Sequence, residues 1–187
     1  GFVRSMHGKS LAVAQLGWDN GNPPLLGQFH RLPFLPDLSE AEALEQLGRT
    51  LDKEPLSALF FEPLQASAGG YFASSGFYEE AIALCRSRGV LSVFDEILTG
   101  FYRTGPRFFC SSLPVKPDII LLGKGLGNGF PASAVAVNSS CPLKADMLPG
   151  STFANNPLAA AAIVATLEQI RELDMSTMVN RIGQSVL

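Results

Sequence analysis

The stretch PDIILLGKGLGNG, residues 117–129, contains the pattern on which the fold prediction is built. Its apolar run at 119–122 predicts a short β-strand. Lys124 follows two residues after that strand and is surrounded by glycines. In open parallel sheets, ligands bind beyond the carboxyl ends of the strands. A lysine at this point of the chain is therefore a candidate functional residue.

Short apolar strands and amphipathic helices alternate on both sides of this stretch. Further strands are predicted at 58–61, 90–94 and 134–137, and helices at 40–50, 77–88 and 157–171. Ser39 and Glu42 predict a capping box at the start of the first of these helices. Strand, helix and strand in series favour parallel pairing through right-handed crossovers. The predicted fold class is therefore α/β, with a three-layer, mostly parallel sheet that has helices on both faces.

The composition and net charge indicate the class of protein and disfavour some kinds of partner. The chain has 187 residues, of which 47% are apolar, so it can bury the core of one domain. A net charge of −3 disfavours nucleic acid or an anionic membrane as a partner. Three cysteines without metal-type spacing predict reduced thiols, which fit a cytoplasmic protein without a metal site. The sequence shows no signal peptide and no apolar run of about 18 residues, as secretion or a membrane span would require.

Two carboxylates and one amine follow predicted strands directly. Glu62 follows the strand at 58–61, Asp95 follows the strand at 90–94, and Lys124 follows the third. A charge buried alone is costly, so an internal ion pair between Lys124 and one of the acids is one interpretation. The glycines at 123–129 favour a second interpretation, because they would let a planar ligand approach the backbone closely.

Two further features suit one particular ligand. A buried Asp95 could hold a protonated ring nitrogen, which is the partner that pyridoxal phosphate requires. Ser151 and Thr152, just before the helix predicted at 157, could bind a phosphate with their hydroxyls and backbone N–H groups. Helix capping by Asn155 or Asn156 is the alternative. Capping explains the asparagines and leaves the two hydroxyl residues unexplained.

Several motifs occur together in one order. They are HGKS at 7–10, EPLQ at 62–65, DEILTGFYRTG at 95–105, PDIILLGKGLGNG at 117–129 and TFANNPLA at 152–159. This series resembles class III (ω-type) pyridoxal-phosphate-dependent aminotransferases of fold type I, with closest similarity to putrescine- and acetylornithine-type members. The resemblance implies the large domain of that fold, incomplete at both ends. Residues 1–172 would belong to the cofactor-binding large domain, and 173–187 would begin a helix toward a small C-terminal domain.

The resemblance implies a reaction as well. Lys124 would form a Schiff base with pyridoxal 5′-phosphate and later move the substrate's proton, while Asp95 would pair with the pyridine nitrogen. An amino group would pass from an amine or ω-amino acid to a 2-oxo acid. Because a neutral amine is the attacking form, burial is expected to lower the pKa of Lys124.

Other matching positions receive supporting roles from the same resemblance. Thr152, next to Ser151, would bind the cofactor phosphate, typically in the active site of the neighbouring subunit, which implies a homodimer. Glu62 and Gln65 would support the site. His7 lies beside the position that stacks on the cofactor ring.

Two positions depart from the family pattern. Met6 occupies the ring-stacking position, which is usually aromatic, although methionine can pack on a ring face. Leu98 occupies a position that often carries a glutamine reaching the cofactor's phenolic oxygen, and leucine forms no hydrogen bond. These departures leave two alternatives open. The chain could belong to a truncated or degenerate member that acts as a non-catalytic scaffold or subunit, or to an enzyme with another reaction on this cofactor, such as an aminomutase, racemase or decarboxylase.

Overall fold

The computed structural model describes residues 1–17, 26–27, 29–143, 147 and 150–186. The chain divides into two compact units. Unit 1 comprises Gly1–Asp95 and Leu113–Pro117, and unit 2 comprises Glu96–Ser112 and Asp118–Leu187.

Unit 1 contains a β–α–β arrangement. Its elements are α1 (Leu11–Ala14), α2 (Glu40–Lys53), β1 (Ala58–Phe61), a 3₁₀ turn (Ala66–Ala68), α3 (Ser75–Ser87) and β2 (Leu91–Asp95). β1 and β2 pair in parallel, from Ala58 opposite Leu91 to Phe61 opposite Phe94. The parallel pairing of these strands through an intervening helix is the arrangement predicted from the sequence.

Side-chain caps define where the two long helices of unit 1 begin. The capping box of α2 is present as predicted: Ser39 Oγ accepts from the Glu42 N–H at 3.3 Å, and Glu42 Oε2 accepts from the Ser39 N–H at 2.9 Å. Ser74 caps α3 by accepting from the Phe77 N–H, so this helix starts before the predicted residue 77. It ends before Gly89, whose φ of +69° fits the C′ role of glycine.

Aromatic rings form the core of unit 1. Phe61 and Phe94, which are opposite each other on β1 and β2, have ring centroids 5.0 Å apart. Tyr78 of α3 lies against both rings of this pair, and its neighbour Phe77 packs against Phe2 and Phe34; Tyr78 and Phe77 are each only 1% exposed. Because Phe61 and Phe94 are the residues immediately before Glu62 and Asp95, the packing of the core fixes the points at which the two strands deliver these acids.

Unit 2 contains an antiparallel strand pair and two helices. Its elements are a 3₁₀ turn (Phe109–Ser112), β3 (Ile119–Leu122), a second 3₁₀ turn (Lys124–Leu126), β4 (Ala134–Val137), α4 (Pro157–Glu172) and α5 (Met175–Val186). β3 and β4 run antiparallel, from Ile119 opposite Val137 to Leu122 opposite Ala134. The connection at 123–133 holds no crossover α-helix, and antiparallel neighbours need none. Parallel pairing, expected from the alternation of strands and helices, therefore does not extend to this pair.

Some of the exposed residues of unit 2 are apolar, among them Val135 and Val137 of β4. All four residues of β4 are exposed, and α4 and α5 contain no fully buried residue.

Among the helices that the structure describes, none combines the length and the apolar character that crossing a membrane requires.

Candidate active site

Three polar side chains that follow or end the strands of unit 1 are buried. Glu62 and Gln65, after β1, are 7% and 1% exposed, and Asp95, the last residue of β2, is 3% exposed. The prediction that its strand places Asp95 in a buried environment is confirmed. Buried polar groups of this kind need hydrogen-bond partners, and those partners identify what the side chains do.

The partners lie on one segment near the start of the chain, residues 5–7. Each of these residues contacts a different strand-end side chain: Gln65 Nε2 donates to Ser5 Oγ at 2.9 Å, the Met6 N–H donates to Glu62 Oε2 at 2.9 Å, and His7 Nδ1 lies 2.8 Å from Asp95 Oδ2. We call these six residues the strand-tip cluster. It brings together five of the residues predicted for the site and fixes segment 5–7 against the ends of β1 and β2.

The His7–Asp95 pair is the most enclosed part of the strand-tip cluster. The side chain of His7 is 0% exposed and that of Asp95 is 4% exposed. The imidazole also meets the ring of Phe60 edge-on, with centroids 5.7 Å apart. Its second nitrogen, Nε2, is buried and has no hydrogen-bond partner within the described parts of the chain. Met6, in contrast, is half-buried.

Sequence reasoning missed Tyr78, which supports the loop that carries Glu62 and Gln65. The Tyr78 hydroxyl donates to the Pro63 carbonyl at 2.8 Å and accepts from the Ala73 N–H at 3.2 Å. Desolvation by burial raises the pKa of Tyr78, so the hydroxyl keeps its proton and remains a donor. The available signal was a tyrosine on the apolar face of a helix, because a buried hydroxyl requires a partner.

In unit 2, Lys124 follows β3 by two residues, as predicted, and it is exposed. The expectation that Lys124 is buried is therefore wrong, because the glycines beside it provide no side chains to cover it. Its backbone adopts a left-handed conformation, with φ of 42°. Together with Arg103, Lys124 lines a shallow cavity of about 450 Å³ that is widely open to solvent. Among the described residues that line this cavity there is no carboxylate, so the cavity suits an anionic ligand.

The glycines around Lys124 are explained in part by the chain itself. A Cβ atom on Gly127 would lie 2.1 Å from the backbone oxygen of Phe130, so only glycine fits there. A Cβ atom on Gly125 would lie 3.3 Å from the Cβ atom of Phe101. The close approach at these two positions is made by protein atoms. Access for a planar ligand along residues 123–129 stays a prediction.

Glu96 is a second residue that sequence reasoning did not single out. It is fully buried, and its carboxylate accepts from Thr99 Oγ1 at 2.8 Å and from the N–H groups of Phe109 and Cys110 at 2.8 and 2.7 Å. These contacts close the loop that carries Leu98 and Arg103. The signal was its position, since it is an acid directly after the last residue of a buried strand.

The remaining predicted residues lie in less enclosed surroundings. Leu98 is half-buried, and Ser151 and Thr152 are exposed. Ser151 Oγ accepts from the Phe153 N–H at 3.3 Å. Asn156 Oδ1 accepts from the N–H groups of the second and third residues of α4 at 2.9 and 3.4 Å, which confirms helix capping as its role. A phosphate-binding role for Ser151 and Thr152 stays a prediction.

The sequence of the chain is similar to those of known proteins. The family model described as aminotransferase class-III matches residues 2–187. Acetylornithine aminotransferase of Bacillus subtilis is 37% identical over 180 residues, which cover 92% of this chain and 44% of that protein. Ornithine aminotransferase of the same organism is 34% identical over 191 residues, which cover 97% of this chain and 45% of that protein. The chain thus spans less than half the length of these relatives.

Solved structures agree with the family match. The ornithine aminotransferase of Toxoplasma gondii superposes with a TM-score of 0.82 at 30% identity, over 98% of this chain and 43% of that one. That structure is described as having partial occupancy of PLP at its active site. An aminotransferase of Bacillus anthracis gives a TM-score of 0.80 at 24% identity, which supports the fold alone. The predicted fold class, the α/β large domain of a fold type I enzyme present only in part, is confirmed.

Proposed function

Because the chain belongs to the class III aminotransferase family, we propose that the full-length protein is a pyridoxal 5′-phosphate-dependent transaminase that uses Lys124 as its reactive amine. One observation carries the proposal: Lys124 stands two residues after β3, exposed, in a cavity of about 450 Å³ that it shares with Arg103. An accessible amine beside a second cation suits a cofactor that combines an aldehyde with a phosphate. When bound, this cofactor supplies an electron-accepting ring for substrate carbanions.

The residues of the chain fit this cofactor by their chemistry. Asp95 is a buried acid, 2.8 Å from His7 Nδ1, and is proposed as the partner of the ring nitrogen. Met6 is proposed to pack on the ring face through its polarisable sulfur. Leu98 would supply an apolar contact in place of a hydrogen bond. Glu62 and Gln65 hold residues 5–7 through the contacts already described and are proposed as supports of the site.

Lys124 is proposed to act twice. In its neutral form, Nζ would hold the cofactor through the cofactor's aldehyde group, and it would be set free when the substrate amine takes its place. Once free, the same Nζ would accept the proton from the substrate carbon as a general base and return it as a general acid. Its exposure in unit 2 leaves the amine accessible for both steps.

Substrates and partners follow from the same proposal. We propose an amine or ω-amino acid as the donor and a 2-oxo acid as the acceptor, in keeping with the acetylornithine and ornithine aminotransferases to which the chain is similar. Ser151 and Thr152 are proposed to bind the cofactor phosphate in the neighbouring subunit, which makes the protein a homodimer. We further propose that it works in the cytoplasm, without nucleic acid or membrane as a partner.

The test is covalent trapping in the full-length protein. After incubation with pyridoxal 5′-phosphate and borohydride reduction, peptide mass spectrometry should find the adduct on Lys124. Lys124→Ala should lose both the adduct and the long-wavelength absorbance of the bound cofactor, whereas Lys53→Ala, which removes an exposed lysine of α2, should keep them. Since Lys124 is exposed, Lys124→Ala should change the free energy of unfolding by no more than about 0.5 kcal/mol. An adduct on a different lysine, or none in the wild type, would contradict the proposal and favour a non-catalytic scaffold.

A further inference from the structure

The carboxylate of Glu96 ties together the two ends of the loop at residues 96–112, which we call the acid loop. Its Oε2 accepts from Thr99 Oγ1 and from the Phe109 N–H, both at 2.8 Å, and its Oε1 accepts from the Cys110 N–H at 2.7 Å. Glu96 is 0% exposed, and a buried carboxylate is costly unless it has partners of this kind. The shape of the acid loop therefore depends on this one side chain.

The acid loop packs against both neighbours of Lys124. A Cβ atom on Gly123 would lie 3.3 Å from Cγ2 of Ile97, and a Cβ atom on Gly125 would lie 3.3 Å from Cβ of Phe101. These distances are shorter than ordinary van der Waals contact, so the glycine backbone itself lies against the two side chains. Side chains of the acid loop therefore fix the backbone on both sides of Lys124.

The acid loop contains a turn that its backbone would not adopt freely. Phe101 and Tyr102 have φ values of 56° and 67°, in the left-handed region that residues other than glycine rarely occupy. Such conformations persist only where surrounding contacts enforce them. Glu96 supplies these contacts through its carboxylate, and its N–H donates to the Leu121 carbonyl of β3 at 3.0 Å. Loss of the carboxylate should therefore let the turn relax and change its packing on the glycines.

We propose that Glu96 is a positioning residue for Lys124: its carboxylate fixes the shape of the acid loop, and the acid loop fixes the backbone on both sides of the lysine. Glu96 acts only through these contacts and touches neither cofactor nor substrate. The inference rests on the proposed function for its consequence in transamination. The coupling between Glu96 and residues 123–130 is a property of the protein alone.

The first experiment is hydrogen exchange mass spectrometry of the full-length protein without cofactor. Glu96→Gln keeps the size of the side chain but replaces an acceptor oxygen by a donor. Peptides that cover 123–130 should exchange about tenfold faster, while those that cover 58–61 in unit 1 should keep their rate. Glu80→Gln, at an exposed glutamate of α3, is the matched control and should change neither. Faster exchange confined to 97–112 would overturn the proposal, because Glu96 would then hold only its own loop.

The second experiment separates an effect on Lys124 from a general loss of the site. Dissociation constants would be measured for pyridoxal 5′-phosphate, whose aldehyde needs the lysine, and for pyridoxamine 5′-phosphate, which carries an amine instead and forms no bond with it. Glu96→Gln should weaken binding of the aldehyde about tenfold. Binding of the amine should change no more than about twofold. Equal weakening of both ligands, or of neither, would contradict the proposal.

A second variant keeps the proposal testable if Glu96→Gln does not fold. Thr99→Val removes one donor to the carboxylate and leaves Glu96 in place, so both experiments should show the same pattern with effects of about threefold. Thr104→Val, at an exposed threonine, is its control and should behave as the wild type. Failure of the proposed function would instead appear as a wild-type protein without an adduct on Lys124, and the exchange experiment would still decide the coupling.

Discussion

Residues 5–7 and residues 123–129 both carry candidate site residues, and they are held in place in different ways. In the first segment, each residue forms a hydrogen bond with a buried polar side chain of unit 1. In the second segment, of unit 2, the backbone is fixed by close contacts at its glycines, and Lys124 is exposed.

The difference teaches how each kind of group can serve a site. A carboxylate that must keep one orientation gains from a fixed partner, because paired side chains lose their rotational freedom. Under the proposed function, the Lys124 amine needs freedom to move, and a segment in which only the backbone is fixed suits that role. The two segments therefore predict opposite responses to substitution: side-chain changes matter in unit 1, and backbone changes matter around Lys124.

Gly127→Ala should have the largest effect. The new Cβ atom would lie 2.1 Å from the backbone oxygen of Phe130, so the loop must shift. We expect the free energy of unfolding to fall by about 3 kcal/mol, measured by urea denaturation of the full-length protein. Gly48→Ala is the matched control, because a Cβ atom at this position of α2 meets nothing within 4 Å. It should stabilise the protein by about 0.5–1 kcal/mol, and a similar loss in both variants would break the comparison.

Tyr78→Phe tests whether unit 1 depends on side-chain partners. The substitution removes the hydroxyl that donates to the Pro63 carbonyl and accepts from the Ala73 N–H. Two buried backbone groups lose their partner, so we expect a loss of about 2 kcal/mol in thermal or urea unfolding. Tyr102→Phe, at a half-buried tyrosine, is the control and should change stability by less than about 0.5 kcal/mol. Equal stability of Tyr78→Phe and wild type would show that the hydroxyl does not support the loop.

Ser39→Ala, outside both segments, measures how much a single helix cap contributes to the free energy of unfolding. Loss of the α2 capping box should lower the free energy of unfolding by about 1 kcal/mol at neutral pH, while Ser67→Ala at an exposed serine should not.

Hydrogen bonds from Ser39 lower the pKa of Glu42 below its ordinary value of 4.5. A lowered carboxyl pKa stabilises the fold above pH 4.5 and ceases to do so as pH falls through the folded-state pKa. The difference between the variant and the wild type should therefore shrink in acid, and a difference that is constant down to pH 3 would contradict this account.

Local sequence signals predicted the elements of the fold well. The strand Ala58–Phe61 was predicted at its observed bounds, and α2 begins at Glu40, where the capping box indicated. The start of α3 was misplaced because the run of small residues before Phe77 indicates a loop, while the Ser74 hydroxyl caps a helix that already begins at Ser75. Antiparallel pairing of β3 and β4 was not expected. The alternation of strands and helices predicts parallel pairing, but the connection between these two strands contains no α-helix.

The candidate site was predicted only as far as local position could indicate. The burial of Asp95 follows from the strand that ends with it, and this was predicted. Its pairing with His7 joins residues 88 positions apart in the sequence, which no local pattern reveals. Lys124 was predicted to be buried, and it is exposed. Burial depends on which side chains from elsewhere in the chain cover a residue, and local sequence does not reveal these.

The backbone conformation at Lys124 has an energetic cost. Its φ of 42° lies in the left-handed region, which glycine or asparagine occupies at lower energy than lysine. A long cationic side chain at such a position is not the choice that folding stability alone would make. Lysine at this position therefore carries a conformational penalty, which the reactive role proposed for Lys124 would explain.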